Sequence, residues 1–361
     1  MTSRWQQQSH HLSAGAAVTA GLPELAELQT LIDAGASHLH LRTLCEVGAG
    51  PHRFPVELVT LGCERADAPA VAFVGGVHGL ECIGSEVVLA YLRSLVMRLA
   101  WDESLHRLLD AVRLVFLPVV NPGGLWLGTR ANPNGVDLMR SAPVEADDLV
   151  PPLAGGHRLS RMLPWYRGAL GGAPQPECAA LCEAIETELL GRPFSMAIDC
   201  HSGFGLRDRL WFPFARSRTP MTHLAEVHAF GGILDASLLH HRYVLEPQSR
   251  QYLAHGDIWD HLYLQAGAHP GTVFLPLTLE MGSWLWVKKN PWQMFNRLGI
   301  FNPQLPHRQQ RVLRRHLAGL DFVTRAAASW QRWLPQGDER CRHHEQALAR
   351  WYGPDRPQVR A

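Results

Sequence analysis

Apolar residues in this chain gather in short continuous runs, separated by stretches where they recur at helical spacing. Leu22 to Ala34 has that helical spacing and ends near Gly35. Leu39 to Leu44 and Phe54 to Leu61 alternate apolar with polar, and Gly48-Ala49-Gly50-Pro51 between them reads as a hairpin turn. Ala70 to Val74 has no polar face, so it is a strand covered on both sides. Helical spacing returns from Ile83 to Leu99, and Leu114 to Val120 is the next buried run. These three pieces fit a β-α-β unit, whose crossover is right-handed. Ser195 to Asp199 and Val273 to Glu280 are further buried strands, and Tyr243 to Leu245 is a short one. Helices are expected over Glu177 to Leu190, Thr222 to Ala236, Asp257 to Gln265 and Gln309 to Leu334, the last with an Arg-rich, solvated face. Ser141 to Pro176, rich in Pro and Gly, reads as a loop over one face rather than a linker. The alternation argues for a single α/β domain with a mixed, mainly parallel sheet and helices on both faces.

On this reading residues 1–20 are a polar arm, 21–335 the domain and 336–361 a polar tail. At 361 residues, 46% apolar and 19% charged, the chain can bury a sizeable core. A formal net charge of +1 supplies no field for nucleic acid or an anionic membrane. No apolar run approaches the roughly 18 residues of a membrane span. The amino-terminal stretch lacks the apolar centre of a secretory signal, so the expectation is a cytoplasmic protein. The cysteine count, seven, is odd, and no spacing repeats like a disulfide framework. Cys178 and Cys182 read as two buried thiols on one helix face. Nothing in composition or pattern specifies an oligomeric state.

The candidate chemistry sits where the apolar runs stop. Val71 to Glu81 reads VAFVGGVHGLE: a buried strand, a tight Gly75-Gly76 turn, then His78 and Glu81. In open α/β sheets ligands bind at the carboxyl ends of strands. Imidazole nitrogen and carboxylate oxygen there suit zinc, although an H-x-x-E pair alone is a weak signal. Three other strands end comparably, in Asn121, in His201 and in Glu280. Four such endings in one α/β chain point to a single site along one sheet edge.

The set of His78, Glu81, His201 and Glu280 resembles the zinc carboxypeptidase superfamily. That family joins an H-x-x-E pair to a distant His after a buried strand and a Glu on a late strand. Asn121-Pro122-Gly123-Gly124 is similar to its N-P-D/G-G turn. Arg130 followed by Asn134 to Arg140 (NGVDLMR) resembles its R…N-G-V-D-L-N-R segment. Tyr252, Gly256, Asp260 and Tyr263 resemble the segment that carries a mobile substrate-contacting tyrosine. The resemblance runs from about Phe54 to Gly282, with the pieces in order.

The resemblance implies a zinc metallohydrolase with His78, Glu81 and His201 as ligands of one Zn2+. Three protein ligands leave a fourth position open, the mark of a catalytic site. Glu280 suits the general base and Arg130 the oxyanion. Asp137 would accept the second N–H of His78. Arg140 would fork onto a substrate carboxylate, and Tyr252 would contact substrate, a role resting wholly on the resemblance. Asp199 is read as satisfying backbone N–H groups, and Cys82 and Cys200 as packing residues. Two departures bear on the substrate. Met139 stands where the family's carboxylate clamp has Asn, and the H-x-x-E pair encloses Gly79-Leu80 without the Arg many members carry. The H-G-x-E form also resembles the aspartoacylase and succinylglutamate desuccinylase branch. The expected activity is therefore amide hydrolysis on a small peptide, as a carboxypeptidase-like metallopeptidase. The alternatives are a deacylase of N-acyl amino acids and, in another class, a non-catalytic metal- or peptide-binding module.

Overall fold

A computed structural model describes residues 21–353. The arm expected at residues 1–20 lies outside them, as do residues 354–361. In chain order the elements begin with α1 (Pro23–Ala34), β1 (His40–Ala49), β2 (His52–Gly62), β3 (Ala70–Gly75), α2 (Cys82–Leu99) and α3 (Glu103–Leu109). Next come β4 (Arg113–Leu117), α4 (Pro122–Leu127), α5 (Pro176–Glu188), β5 (Phe194–Ser202), β6 (Arg209–Phe212) and α6 (Leu224–Ser237). The chain continues through β7 (Val244–Pro247), α7 (Ile258–Ala266), β8 (Val273–Met281), α8 (Trp284–Lys289), α9 (Pro306–Ala328), α10 (Trp330–Trp333) and α11 (Gly337–Trp351).

The eight strands form one mixed sheet in the order β1-β2-β4-β3-β5-β8-β6-β7. Strands β4, β3, β5 and β8 run parallel at its centre. Every residue of β3, β4 and β5 is buried, as the unbroken apolar runs require. The expected hairpin is β1 with β2, turning at Gly50, whose φ of 62° suits glycine. Helices cover both faces: α2 and α9 pack together against the sheet, and α5 and α7 pack together. Helix α2 comes down tightly, because a Cβ on Gly84 would stand 2.2 Å from the Cys200 carbonyl oxygen. Only glycine lets the helix that follows Glu81 approach the strand that ends in His201. The sheet register then sets His201 beside Glu280.

The structure departs from the sequence expectations at short or polar elements. Asn121 does not end a strand in a free turn. It caps α4, accepting from Gly124 N at 2.8 Å and donating to the Val77 carbonyl at 3.2 Å, so its role is structural. Strand β6 and helices α3 and α8 are too short to print a period on the sequence. Strand β5 continues through His201 to Ser202. The stretch expected as a polar tail holds α11, which packs on α6. Its apolar stripe is narrow. It buries Ala347 and Trp351, and the Trp351 indole donates to the Leu245 carbonyl at 2.9 Å.

One half-buried carboxyl lies between α2 and α9. Glu86 accepts from the Gln309 amide at 2.6 Å, and burial pushes its pKa up to about 7. The folded state therefore holds a proton that the unfolded chain releases, and stability falls as pH rises between its ordinary value of 4.5 and about 7. Glu86→Gln removes that loss. Its melting temperature should exceed that of wild type by more at about pH 8 than at about pH 5. A constant difference across that range would show that Glu86 ionises as freely in the fold as outside it.

Candidate active site

The loop leaving β3 delivers His78 and Glu81, and the end of β5 delivers His201, all buried. His78 Nδ1 lies 2.9 Å from Glu81 Oε1 and 3.1 Å from His201 Nδ1, and His201 Nδ1 lies 3.2 Å from Glu81 Oε2. Ligand atoms from the three side chains all fall within 4.8 Å of one another, the only such His/Cys/Asp/Glu group among the described residues.

The outer nitrogen of each imidazole is held by a buried carboxylate. His78 Nε2 lies 3.1 Å from Asp137 and His201 Nε2 lies 2.7 Å from Asp199. Each carboxylate is anchored in turn. Asp137 accepts from Arg130 Nε at 2.8 Å and from Met139 N at 3.1 Å, and Asp199 accepts from the Trp259 indole at 2.8 Å. Such partners fix the tautomer and turn the inner nitrogens toward one point, an arrangement that fits a metal ion. Asp199 is therefore the partner of His201 and not the backbone acceptor the sequence suggested, since its second oxygen has no hydrogen-bond partner among the described residues. The sequence reading missed it because its donors come from β5 itself and from distant α7.

Burial alone would neutralise Glu81, but the His78 and His201 rings outweigh it and hold the carboxyl below its usual range. Burial likewise opposes charge on His201, yet Asp199 and Glu81 raise its pKa well above the ordinary value. Glu280 behaves oppositely. Burial, with the Glu81 charge behind it, pushes its pKa up to about 8, and Phe204 N donates to its Oε1 at 2.9 Å.

The seven residues expected from the sequence to hold metal, catalyse or bind substrate line one cavity of about 580 Å³: His78, Glu81, His201, Arg130, Glu280, Arg140 and Tyr252. Arg130 is fixed by Asp137 and by Glu81 Oε1 at 3.2 Å. Arg140 is nearly buried and donates to the Tyr252 hydroxyl at 3.3 Å, with its guanidinium carbon 5.7 Å from that ring's centre. Met139 also reaches the cavity wall. Gly256 stands behind Arg140: its φ is 68° and a Cβ there would meet the Arg140 carbonyl oxygen at 1.9 Å. Asp260 and Tyr263 lie elsewhere, Asp260 accepting from Ala215 N and Arg216 N and Tyr263 meeting His223. A Cβ on Gly79 would lie 2.0 Å from the Gly124 carbonyl carbon. The H-G-x-E and N-P-G-G segments thus meet backbone to backbone.

The loop from Ser141 to Pro176 supplies Pro151, Ala154, Pro164 and Trp165 to the cavity, as an excursion over the site should. Arg167 ties this loop down, donating to the Arg140 carbonyl at 3.0 Å and to Glu145 at 2.8 Å. Neither Arg167 nor the aromatic wall of Phe204, Trp211, Trp284 and Phe301 carried any signal in the sequence.

Residues 29–283 match the sequence profile of the zinc carboxypeptidase family. The chain belongs to that family. All seven cavity residues lie within the matched stretch. Among individual relatives, carboxypeptidase D of Anas platyrhynchos is 26% identical over 170 residues, 45% of this chain and 11% of that protein. Carboxypeptidase E of Caenorhabditis elegans is 31% identical over 120 residues, 28% of this chain and 25% of that protein. The chain thus spans a quarter or less of these relatives' own length. In fold it is similar to carboxypeptidase A from Helicoverpa armigera, with a TM-score of 0.63 at 16% identity over 84% of this chain and 71% of that one. Thrombin activatable fibrinolysis inhibitor superposes with a TM-score of 0.60, also at 16% identity, over 84% and 72% of the two chains.

The paired carboxylates make a specific expectation. Asp199→Asn should weaken zinc binding by roughly 10- to 100-fold without unfolding the protein, as loss of a ligand's supporting partner does. Competition against a chelator of known affinity measures this. His78→Ala and His201→Ala should abolish stoichiometric zinc in the same assay, and unchanged affinity in all three variants would refute the ligand assignment.

Proposed function

We propose that this chain is a zinc-dependent carboxypeptidase, cleaving the terminal amide bond of a small peptide. The observation that carries the reading is the convergence of His78 Nδ1, His201 Nδ1 and the Glu81 carboxylate in a cavity that also holds Arg140. Family membership supports it, and so do the carboxypeptidases among the relatives. The two nitrogens and one carboxylate are a donor set suited to zinc with one position left open. Bound zinc supplies an activated water near neutral pH and polarises the scissile carbonyl.

Each remaining residue has a task its surroundings fit. Glu280 takes the proton from the attacking water and delivers it to the leaving amine. A pKa raised by burial toward neutrality suits both halves of that transfer. Arg130, immobilised by Asp137 and Glu81, presents a guanidinium to the oxyanion that develops on the carbonyl. Its position is set before substrate arrives, so little reorganisation is needed. Arg140 receives the terminal carboxylate, and Tyr252 beside it closes over the substrate. The clamp rests on Arg140 alone, because Met139 offers no side-chain donor. The rings of Phe204, Trp211 and Trp284 line an apolar floor, favouring an apolar or aromatic terminal side chain.

Two outcomes test the reading. Glu280→Gln should retain zinc and fold but lose on the order of two or more decades of kcat, and near-normal turnover would place the base elsewhere. Arg140→Ala should raise KM for peptides with a free carboxyl terminus and leave their amidated counterparts little changed. A single charged hydrogen bond, worth roughly 1.5–3 kcal/mol, sets the size of that effect. Paired kcat/KM measurements decide it. Equal cleavage of acid and amide by wild type, unaffected by Arg140→Ala, would overturn the carboxypeptidase reading in favour of an amidase.

A further inference from the structure

A second cavity, also of about 580 Å³, opens behind the wall of the first. It is lined by Arg207, Arg242, Arg250, Arg315 and Arg350, against the carboxylates Asp208, Asp235 and Glu246. Two of these carboxylates are already neutralised. Asp208 is nearly buried, accepts from Arg315 at 2.8 Å and from Gly282 N at 2.8 Å, and also faces His241 at 2.9 Å. Glu246 accepts from Arg209 at 3.1 Å and from the Gln251 amide at 2.8 Å. Only Asp235 remains to oppose the other four arginines. None of Arg207, Arg242, Arg250 and Arg350 has an ion-pair partner among the described residues. A concave surface with an excess of uncommitted guanidinium groups concentrates anions, and each planar fork binds a carboxylate or phosphoryl group bidentately.

We propose that this cavity is a second, anion-binding site for a small molecule carrying two or more carboxylate or phosphoryl groups. Its volume is that of ordinary small-molecule sites and exceeds what a single inorganic ion fills. The arginines come from separate segments: Arg207 precedes β6, Arg242 precedes β7, Arg250 follows β7 and Arg350 closes α11. No local sequence pattern unites them, and only the fold brings them to one rim.

The site shares its walls with the zinc cavity. Gln248 and Tyr252 face the zinc cavity, while Arg250 between them faces the arginine-lined one. Phe204 lines the first cavity and Leu206 and Arg207 the second; Trp284 and Leu285 divide in the same way. An anion held by Arg250 therefore bears on the segment that presents Tyr252 to Arg140.

Calorimetric titration of the zinc-loaded protein with inorganic pyrophosphate and, separately, with tricarballylate tests the proposal, with chloride held at about 0.15 M to screen loose attraction. At least one of the two should bind with a dissociation constant below about 1 mM. The double variant Arg242→Gln/Arg350→Gln should weaken that binding by roughly tenfold or more, the cost of one charged hydrogen bond. Its zinc content and melting temperature should match wild type. Arg140→Ala should leave the anion affinity unchanged, which separates this site from the substrate carboxylate pocket. Amide exchange locates the ligand, and residues 242–252 should exchange more slowly when the anion is bound. Absence of binding by both probes overturns the proposal. So does an affinity untouched by the double variant, or protection confined to residues 78–81 and 130–140, which would put the anion at the zinc site.

Discussion

Two imidazole nitrogens held 3.1 Å apart inside a protein need a reason to stay there. The reason lies behind the rings. Asp137 and Asp199 grip the outer nitrogens, so each ring can turn only its Nδ1 inward, toward the other and toward Glu81. Asp137, Asp199 and Glu81 bring three buried carboxylates to this region, negative charge that a divalent cation would help to balance. Removing one carboxylate would free a ring, whereas removing a ring would leave its carboxylate buried without a partner, which is costly. His78, His201, Glu81 and the carboxylates behind the rings therefore form one unit.

The sheet makes that unit possible. Parallel strands deliver their carboxyl ends to one edge, and the register sets His201 of β5 against Glu280 of β8. Close approach does the rest. Gly84 admits α2 to the end of β5, Gly79 lets its loop touch the Gly124 backbone, and Gly256 backs onto Arg140. At each of these contacts even a methyl group would meet backbone, which cannot move aside as a side chain can. These three glycines are therefore packing requirements of the backbone around the site.

The rest of the cavity wall is built differently. Its aromatic residues come from β6, from α8 and from loops, and Arg140 is held by a carbonyl network in which Arg167 secures the backbone. The same wall backs onto the arginine-lined cavity. Tyr252 sits on a short segment that lends Gln248 and Tyr252 to one cavity and Arg250 to the other.

The sequence by itself determined much of this. Unbroken apolar runs specify strands buried on both faces, because no polar side chain has anywhere to go between two helical layers. Polar residues that can bind metal, placed where such runs stop, then fall at the edge where ligands bind. That reasoning reached His78, Glu81, His201 and Glu280, and the resemblance extended it to Arg130, Arg140 and Tyr252. What it could not reach are partnerships between segments without a local pattern. Asp199 meets Trp259 across sixty positions of chain, and Arg167 reaches the Arg140 carbonyl. Strand β6 is too short to show a period, and α11 hides its apolar stripe among charges. The arginines of the second cavity are scattered from Arg207 to Arg350. Periodicity records which side of its own element a residue faces. Which other element it meets is decided only when the chain closes, because that depends on the summed packing of the whole.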